Sequence, residues 1–239
     1  MIRIRISLSL GLREHRDKNR CERYQTKAMA NAPDHNLKTA EPVRERLLRA
    51  ATKCFAENGY RGTTVDEIVA SAKVNKRMVY HYFQSKERLY HAVLIEAYRG
   101  LEVIEVDTFS HTEGIDALTE KLVKAYFGFL EAHPEFVRLM LWENLNDGRG
   151  LALADSKLSK DPMLRALTRL LDDGIAAGRI RKDMDARHLL ISLIGLCLVY
   201  SSNRYTLSQA LRMDLGSHAV REKGIKHVTQ LLLDGIKSG

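Results

Sequence analysis

Three helix-capping residues between positions 64 and 85 constrain this chain more than any other feature of its sequence. Thr64 is followed three residues later by Glu67, which is the spacing of a capping box. Asn75 and Ser85 are also residues of the kind that cap a helix N-terminus. The pattern predicts one helix from residue 65, a second over residues 76–83 and a third from residue 86.

The very short connection between the first two helices is typical of a helix-turn-helix. In the second helix, Val79 and Phe83 share one face, whereas Arg77 and His81 point almost directly away from it. An exposed face with these groups, flanked by a phenol and a thioether, suits the major groove of DNA, where arginine binds guanine and apolar groups contact the thymine methyl. An ordinary solvated amphipathic helix is the alternative.

A helix predicted over residues 43–58 completes a three-helix unit and ends at Asn58-Gly59. Residues 44–95 then resemble the TetR family of bacterial repressors. The resemblance lies in Phe55-Ala56-Glu57-Asn58-Gly59-Tyr60, Gly62-Thr63-Thr64-Val65, Val79-Tyr80-His81-Tyr82-Phe83 and Ser85-Lys86-Glu87-Arg88-Leu89. One departure is Lys73, because the family usually has glycine in this turn. A left-handed lysine there would cost about 1 kcal/mol.

The resemblance implies a DNA-binding surface at the positions that match the family motif. The implied phosphate contacts are Thr64, Tyr82 and Lys86, and the implied base-reading residues are Lys76, Arg77, Met78, Tyr80 and His81. Phosphate contacts fix the register on DNA, whereas base contacts specify the sequence. Two alternatives stay open: Thr64 could serve only as a cap, and Tyr82 could be a half-buried support for Phe83.

The positive charge of the chain lies in its N-terminal part. Residues 1–99 contain 20 Lys or Arg against 11 Asp or Glu, and residues 100–239 contain 18 against 19. A localised basic region is expected of a protein that binds a polyanion such as double-stranded DNA. No membrane partner is expected, because the longest apolar run, residues 189–200, is too short to cross a bilayer.

Residues 1–42 are expected to form a disordered basic extension. The first ten residues alternate like a strand without an evident partner, and residues 13–27 are charged without helical periodicity. Arg3 and Arg5 interrupt the apolar stretch and argue against a signal peptide. Two interpretations stay open: a basic arm that adds affinity for DNA, or a segment that is not translated because synthesis starts at Met29. We favour the second.

The rest of the chain shows only helix signals, so the predicted fold class is all-α. We expect a helix-turn-helix DNA-binding domain at residues 43–90 and a helical effector-binding and dimerisation domain at residues 91–239, joined by a helix from Lys86 to about residue 108. Further helix starts are predicted at Thr112, Pro134, Asp161, Asp185 and near Ser217, with a helix end at Gly178.

The last two helices carry more apolar surface than one buried face requires. In the TetR family these helices pair with their copies in a four-helix dimer interface, and the resemblance implies a homodimer here. The implied interface residues are Leu189, Leu193, Leu196, Tyr200, Val228, Leu231 and Leu232. The alternative is a core helix in a monomer. Two recognition helices about one turn of DNA apart would read a pseudo-palindromic operator.

A small-molecule effector is the usual second ligand of the family, and the resemblance places its pocket among the middle helices. The candidate residues are Tyr126, Phe127, Phe136, Met140, Trp142, Glu143 and Asn144. Apolar walls with a few polar groups describe many ligand sites, but they also describe an ordinary helical core. Residues 132–145 are further similar to a TetR subgroup, some of whose members govern the catabolism of nitrogen heterocycles.

An enzyme is the main rival class, and the usual local signatures of one are missing. The sequence has no His-Glu-x-x-His, Gly-x-Ser-x-Gly, phosphate-binding Gly-rich loop or Cys-x-x-Cys, so we expect no catalytic site, metal or cofactor. Cys21, Cys54 and Cys197 are odd in number and far apart, as expected of reduced thiols in a cytoplasm. The sequence therefore predicts a ligand-responsive, DNA-binding transcriptional repressor. The alternative is a helical ligand-binding protein or enzyme without operator-specific DNA binding.

Overall fold

The computed structural model describes residues 41–110, 114–152 and 160–238, and these fold almost entirely into helices. The described helices are α1 (Val43–Gly62), α2 (Val65–Ala72), α3 (Arg77–Phe83), α4 (Lys86–Ser110), α5 (Ile115–Ala132), α6 (Pro134–Leu145), α7 (Arg149–Ala152), α8 (Asp161–Ala176), α9 (Ala186–Ser202), α10 (Arg204–Leu211) and α11 (His218–Ile236). Within these ranges extended pairing is confined to an isolated bridge between Ile180 and Lys237. The predicted all-α fold is confirmed. The predicted N-terminal extension, up to residue 40, and the predicted helix start at Thr112 lie outside the described residues.

Helices α1 to α3 and the first half of α4, residues 43–94, form a unit that we call the head. Its core consists of buried side chains from all four helices, among them Leu47, Phe55, Ile68, Val79 and Leu89. Helix α1 packs against α2, α3 and α4. The first half of α4 therefore completes the core of the predicted three-helix unit.

Helix α1 is interrupted at Asn58-Gly59, where the sequence predicts its end. Gly59 has the expected positive φ of 68°, but its ψ of 176° makes a kink, and the helix resumes through Gly62. The positive φ explains why glycine occupies this position, since side chains with a Cβ are strained there. The glycine thus ends the first helical segment, and a short second segment follows it through Gly62.

The second half of α4 and helices α5 to α11 form the body. Helix α5 lies at its centre and packs against α4, α9 and α11. The buried residues of α5, which include Leu122, Val123 and Phe127, meet Leu193 and Cys197 of α9 in one continuous core. The apolar stripe of α9 is thus largely buried against other helices of the same chain.

The predicted helix boundaries in the body follow local chemistry. Helices α6 and α8 begin at Pro134 and Asp161, as predicted, with proline in the first turn of each. Asp185 and Ser217 cap α9 and α11 with their side chains, and Gly178 follows the end of α8 with a φ of 68°. Helices α7 and α10 were not predicted.

Head and body share a boundary formed by α1, α4 and α6. Helix α1 packs along α6, and Leu139 of α6 belongs to the core of the head. Helix α4 contributes Val93 and Leu94 to the head and Leu101 to the core of the body. Any movement of α4 or α6 within the body would therefore reach the head directly.

Candidate nucleic-acid interface

The start of α2 has the complete capping box that the sequence predicts. The backbone N–H of Glu67 donates to Thr64 Oγ1 at 3.2 Å, and the backbone N–H of Thr64 donates to Glu67 Oε2 at 2.7 Å. The Thr64 backbone N–H, and then its hydroxyl, hold the pKa of the Glu67 carboxyl below its usual value. The Thr64 side chain thus fixes the first turn of α2, whatever else it contacts.

The turn between α2 and α3 is made by Lys73 in the left-handed conformation, with φ 53° and ψ 49°. Arg46 of α1 holds this turn: its Nη2 donates to the carbonyls of Ala72 and Lys73, each at 2.7 Å. Arg46 Nε also donates to the Ala72 carbonyl, at 3.2 Å. Sequence reasoning missed Arg46, since it lies 26 residues from Ala72 and no local pattern connects the two.

Helix α3 presents one face to the core and the other to solvent. The Asn75 side chain accepts from the backbone N–H of Arg77 at 2.9 Å and so caps the helix. Val79 and Phe83 are buried. The exposed face carries Arg77, Tyr80 and His81. The helical-wheel prediction for these residues is therefore confirmed as geometry.

Met78 and Lys76 are placed differently from the three residues on the exposed face. Met78 is partly buried and packs against the core of the head. Lys76 is exposed but forms an ion pair with Asp66 of α2 at 2.9 Å. Tyr82 is exposed, and its ring lies edge-on to that of His81 with centroids 4.8 Å apart. At 41% exposed, the Tyr82 side chain is accessible to solvent.

Lys86 lies at the first position of α4, after the cap that Ser85 provides. The Ser85 hydroxyl accepts from the backbone N–H of Arg88 at 3.1 Å. The Lys86 ammonium lies 4.5 Å from the centroid of the Tyr60 ring, and partial burial there lowers its pKa. The cation is held at a helix N-terminus, where the free N–H groups favour an anion.

The residues predicted to line an effector pocket do not lie together. Trp142 faces the head: its indole Nε1–H donates to the Ala56 carbonyl at 3.3 Å, and its ring lies against Gly59. Asn144 is exposed and donates to the Met140 carbonyl of its own helix at 2.8 Å. These side chains fix α6 and its contact with α1. They do not form the wall of a cavity in the body.

Glu143 is only 2% exposed and connects three helices. The Tyr90 hydroxyl of α4 donates to Glu143 Oε1 at 2.6 Å, and the backbone N–H of Leu151 in α7 donates to Oε2 at 3.0 Å. Burial, and then the Glu143 carboxylate, raise the pKa of Tyr90. The same carboxylate borders a cavity of about 360 Å³ between head and body.

The other predicted pocket residues belong to the core of the body. The buried Tyr126 hydroxyl donates to the buried Glu105 carboxylate of α4, and the Lys160 ammonium donates to the other oxygen of Glu105 at 2.5 Å. Phe136 packs edge-on against Tyr98 of α4. Two buried carboxylates therefore attach α4 to its neighbours: Glu143 of α6 accepts from Tyr90 of α4, and Glu105 of α4 accepts from Tyr126 of α5.

The residues predicted for a dimer interface divide between core and surface. Leu193, Val228 and Leu232 are buried within the single chain, because α9 and α11 use these stripes to pack on α5. Leu189, Leu196 and Tyr200 are half-buried, and Leu231 is 50% exposed. The exposed apolar side chains on these two helices are Ile191, Val199 and Leu231. Ile191 and Val199 belong to the predicted apolar run but not to the residues predicted for the interface.

The described ranges contain no cluster of three or more His, Cys, Asp or Glu that could hold a metal ion. No helix among them is long and apolar enough to cross a membrane. Cys54 and Cys197 are free and buried, and burial raises the pKa of the Cys197 thiol to about 12.

Known proteins resemble both parts of the chain. A family model described as bacterial regulatory proteins, tetR family, matches residues 47–93, and one described as tetracyclin repressor-like, C-terminal domain, matches residues 116–232. The HTH-type transcriptional repressor NicS of Pseudomonas putida is 30% identical over 199 residues, covering 83% of this chain and 94% of NicS.

Solved structures share the fold at low sequence identity. The regulator FadR from Bacillus subtilis in complex with stearoyl-CoA superposes with a TM-score of 0.61 at 20% identity, covering 80% of this chain and 98% of that one. The ketosteroid regulator KstR2 of Mycobacterium tuberculosis gives a TM-score of 0.62 at 22% identity, over 84% of this chain and 98% of its own.

Proposed function

Because the chain belongs to the TetR family of bacterial regulatory proteins and is a DNA-binding transcriptional regulator, we propose that it is a repressor that a small-molecule effector releases from its operator. In this proposal residues 43–90 read the DNA and residues 91–239 bind the effector and a second copy of the chain. The protein binds and does not catalyse, and it acts in the cytoplasm.

The exposed face of α3 is the observation that carries the proposal. Arg77, Tyr80 and His81 are free of the core, while the helix that bears them is fixed by Val79 and Phe83 below. An arginine on a rigid helix can bind guanine O6 and N7 in a fork, a contact that contributes about 1–3 kcal/mol of discrimination. Lys76 and the exposed edge of Met78 complete the base-reading surface in this proposal.

Thr64, Tyr82 and Lys86 are assigned to the DNA backbone. Lys86 combines its own charge with the N-terminus of α4, and Thr64 stands at the N-terminus of α2. Both are positions where phosphate binding is favoured. Tyr82 is exposed beside His81, so its hydroxyl is available as a donor to a phosphate oxygen.

A homodimer supplies the second recognition helix. Ile191 is 65% exposed and Leu231 50% exposed, on helices whose other faces are already packed in the core. Exposed apolar side chains on two helices that pack against each other favour association with an identical surface through a two-fold axis. Val199 is a further exposed apolar residue of α9.

Regulation is assigned to α4 and α6, which cross from body to head. An effector that binds the body with different affinities in two arrangements of these helices would shift the population between them. Half-site spacing is set by the DNA, so a small change in the separation of the two α3 helices would reduce specific affinity. NicS is itself named a repressor, which agrees with this direction of control.

The proposal can be tested with DNA taken from beside the gene. We expect fluorescence anisotropy to show tight, salt-dependent binding to one segment with two related half-sites. Inserting about five base pairs, half a helical turn, between the half-sites should reduce binding to the non-specific level. Failure to bind any such segment, or binding that is indifferent to the spacing, would overturn the proposal.

A further inference from the structure

A second cavity, of about 270 Å³, lies in the body, between α5, α6, α9 and α10. Its interior is apolar, with buried side chains of Phe127, Leu130, Val137 and Leu215. The ring of Tyr200 forms a wall, 5.1 Å from the Phe127 ring centroid. The volume is close to the lower end of the range for small-molecule sites, so it suits a compact ligand rather than a long acyl chain.

Positively charged side chains outnumber negatively charged ones around this cavity. Arg138, Arg204, Arg221 and Glu131 are the charged residues that line it. Arg221 forms an ion pair with Glu131. Neither Arg138 nor Arg204 forms an ion pair within the described part of the chain. The carboxylate of Asp214 lies near Arg204 beside this cavity, since a Cβ on Gly216 would lie within 4 Å of both Asp214 Oδ1 and Arg204 Nη1.

Arg138 and Arg204 both line this cavity, and Arg204 lies at the hydroxyl of Tyr205. Arg204 Nη2–H donates to Tyr205 Oη at 2.7 Å, and the guanidinium lies 4.8 Å from the ring centroid. Arg204, and to a lesser degree Arg138, lower the pKa of Tyr205, in keeping with the place of both arginines in the lining of the cavity. Tyr205 is 69% exposed, so this end of the cavity opens to solvent.

We infer that this cavity binds a small carboxylate with a flat apolar body, its carboxylate held by Arg138 and Arg204 and its apolar part over Phe127 and Leu130. Guanidinium matches a planar carboxylate with two parallel hydrogen bonds. The apolar interior selects against inorganic anions, which would leave it empty. Phe127 belongs both to this site and to the pocket predicted from the sequence.

The position of the site gives it a route to the DNA-binding head. Arg138 borders the cavity, while its neighbour Leu139 on α6 is buried in the core of the head. One turn further along α6, Trp142 lies against Gly59 of α1. A ligand held by Arg138 would therefore bias the position of α6, a regulatory step that rests on the proposed function.

Calorimetric titration of the full chain with benzoate, at concentrations up to about 10 mM, tests the site. We expect a Kd of about 1 mM or tighter. Benzamide has the same shape without the charge, and we expect it to bind at least about tenfold more weakly. No heat from benzoate, or equal affinities for benzoate and benzamide, would overturn the inference without recourse to any variant.

Variants then locate the binding. Arg138→Gln combined with Arg204→Gln should weaken benzoate binding at least about tenfold. Arg169→Gln, an exposed arginine of α8 outside this cavity, should bind benzoate as the wild type does. A double variant that keeps its thermal stability and its affinity for benzoate would place the anion elsewhere and overturn the inference.

Anisotropy with operator DNA separates this inference from the proposed function. We expect saturating benzoate to change operator affinity by at least about fivefold. A chain that binds benzoate but no DNA would keep the site and overturn the proposed function. A chain that binds its operator but not benzoate would keep the proposed function and overturn the site. Unchanged operator affinity with benzoate bound would overturn the regulatory step alone.

Discussion

The indole ring of Trp142 lies so close to Gly59 that a Cβ atom on the glycine would come within 2.9 Å of it. The same side chain donates a hydrogen bond to the Ala56 carbonyl at 3.3 Å. Body and head thus meet through a contact with no free space between an aromatic ring and a backbone. A close-packed contact of this kind transmits a displacement of α6 to α1 instead of absorbing it.

Replacing Gly59 with alanine should destabilise the protein by about 1–3 kcal/mol. The new Cβ would meet the indole, and the positive φ of 68° at position 59 is strained for alanine. Urea denaturation measures the change. Gly128→Ala is a matched control, because that glycine is helical and its Cβ would meet nothing within 4 Å; we expect the control to be neutral or slightly stabilising. In a Trp142→Ala background the Gly59→Ala cost should fall to the strain alone.

Replacing Lys73 with glycine should stabilise the head by about 1 kcal/mol, because glycine adopts the left-handed conformation of this turn without strain. Asn tolerates that conformation better than most residues, so Lys73→Asn should lie between wild type and Lys73→Gly. Lys73→Ala removes the same charge without relieving the strain and serves as the control. Equal melting temperatures for the Gly and Ala variants would show that the turn stores no strain.

Tyr90→Phe should cost about 1–3 kcal/mol of stability, because it removes a donor from the buried Glu143 carboxylate. Tyr80→Phe removes an equivalent hydroxyl from an exposed ring and should be close to neutral. In the Tyr90→Phe background, Glu143→Gln should cost less than in the wild type, since part of the interaction is already lost. Additive free energies of unfolding would show that the two groups are not coupled.

The capping box should make stability depend on pH. The folded-state pKa of Glu67 is lowered from its unfolded value of about 4.3. Its contribution is therefore fully present above that value and is lost as the pH falls through the folded-state pKa. Thermal melts should show the largest stability advantage of wild type over Glu67→Gln near neutral pH and a shrinking one toward about pH 3. An advantage that stays constant over this range would contradict the assignment.

The helices of the head could be predicted from the sequence because their caps depend on local interactions. A cap and the carboxylate three residues after it interact within one turn, so Thr64 and Glu67 could be paired by spacing alone. The left-handed conformation of Lys73 was considered only through the resemblance to the TetR family, which usually has glycine in this turn. Contacts across the fold were not accessible in this way: Trp142 and Ala56 are 86 residues apart, and nothing in either segment points to the other.

The apolar stripes of the body show a different limit. Periodicity identifies which residues of α9 lie on one face, but it does not say whether another helix of the same chain or a partner covers them. Leu193 is buried against the body, while Ile191, two residues away, is exposed. The cavity lined by Arg138 and Arg204 was also missed, because its residues come from helices far apart in the sequence, one of which, α10, was not predicted.

The most direct measurement is the operator specificity of Arg77→Ala, taken as the ratio of its affinities for operator and scrambled DNA at several salt concentrations. We expect a loss of about 1–3 kcal/mol on the operator and relaxed preference at one base pair. Lys86→Ala should weaken both DNAs and lower the salt slope by about one. Arg169→Ala, which removes the same charge from α8, should retain wild-type specificity. An Arg77→Ala variant that discriminates operator from scrambled DNA as well as Arg169→Ala does would show that α3 does not read the bases.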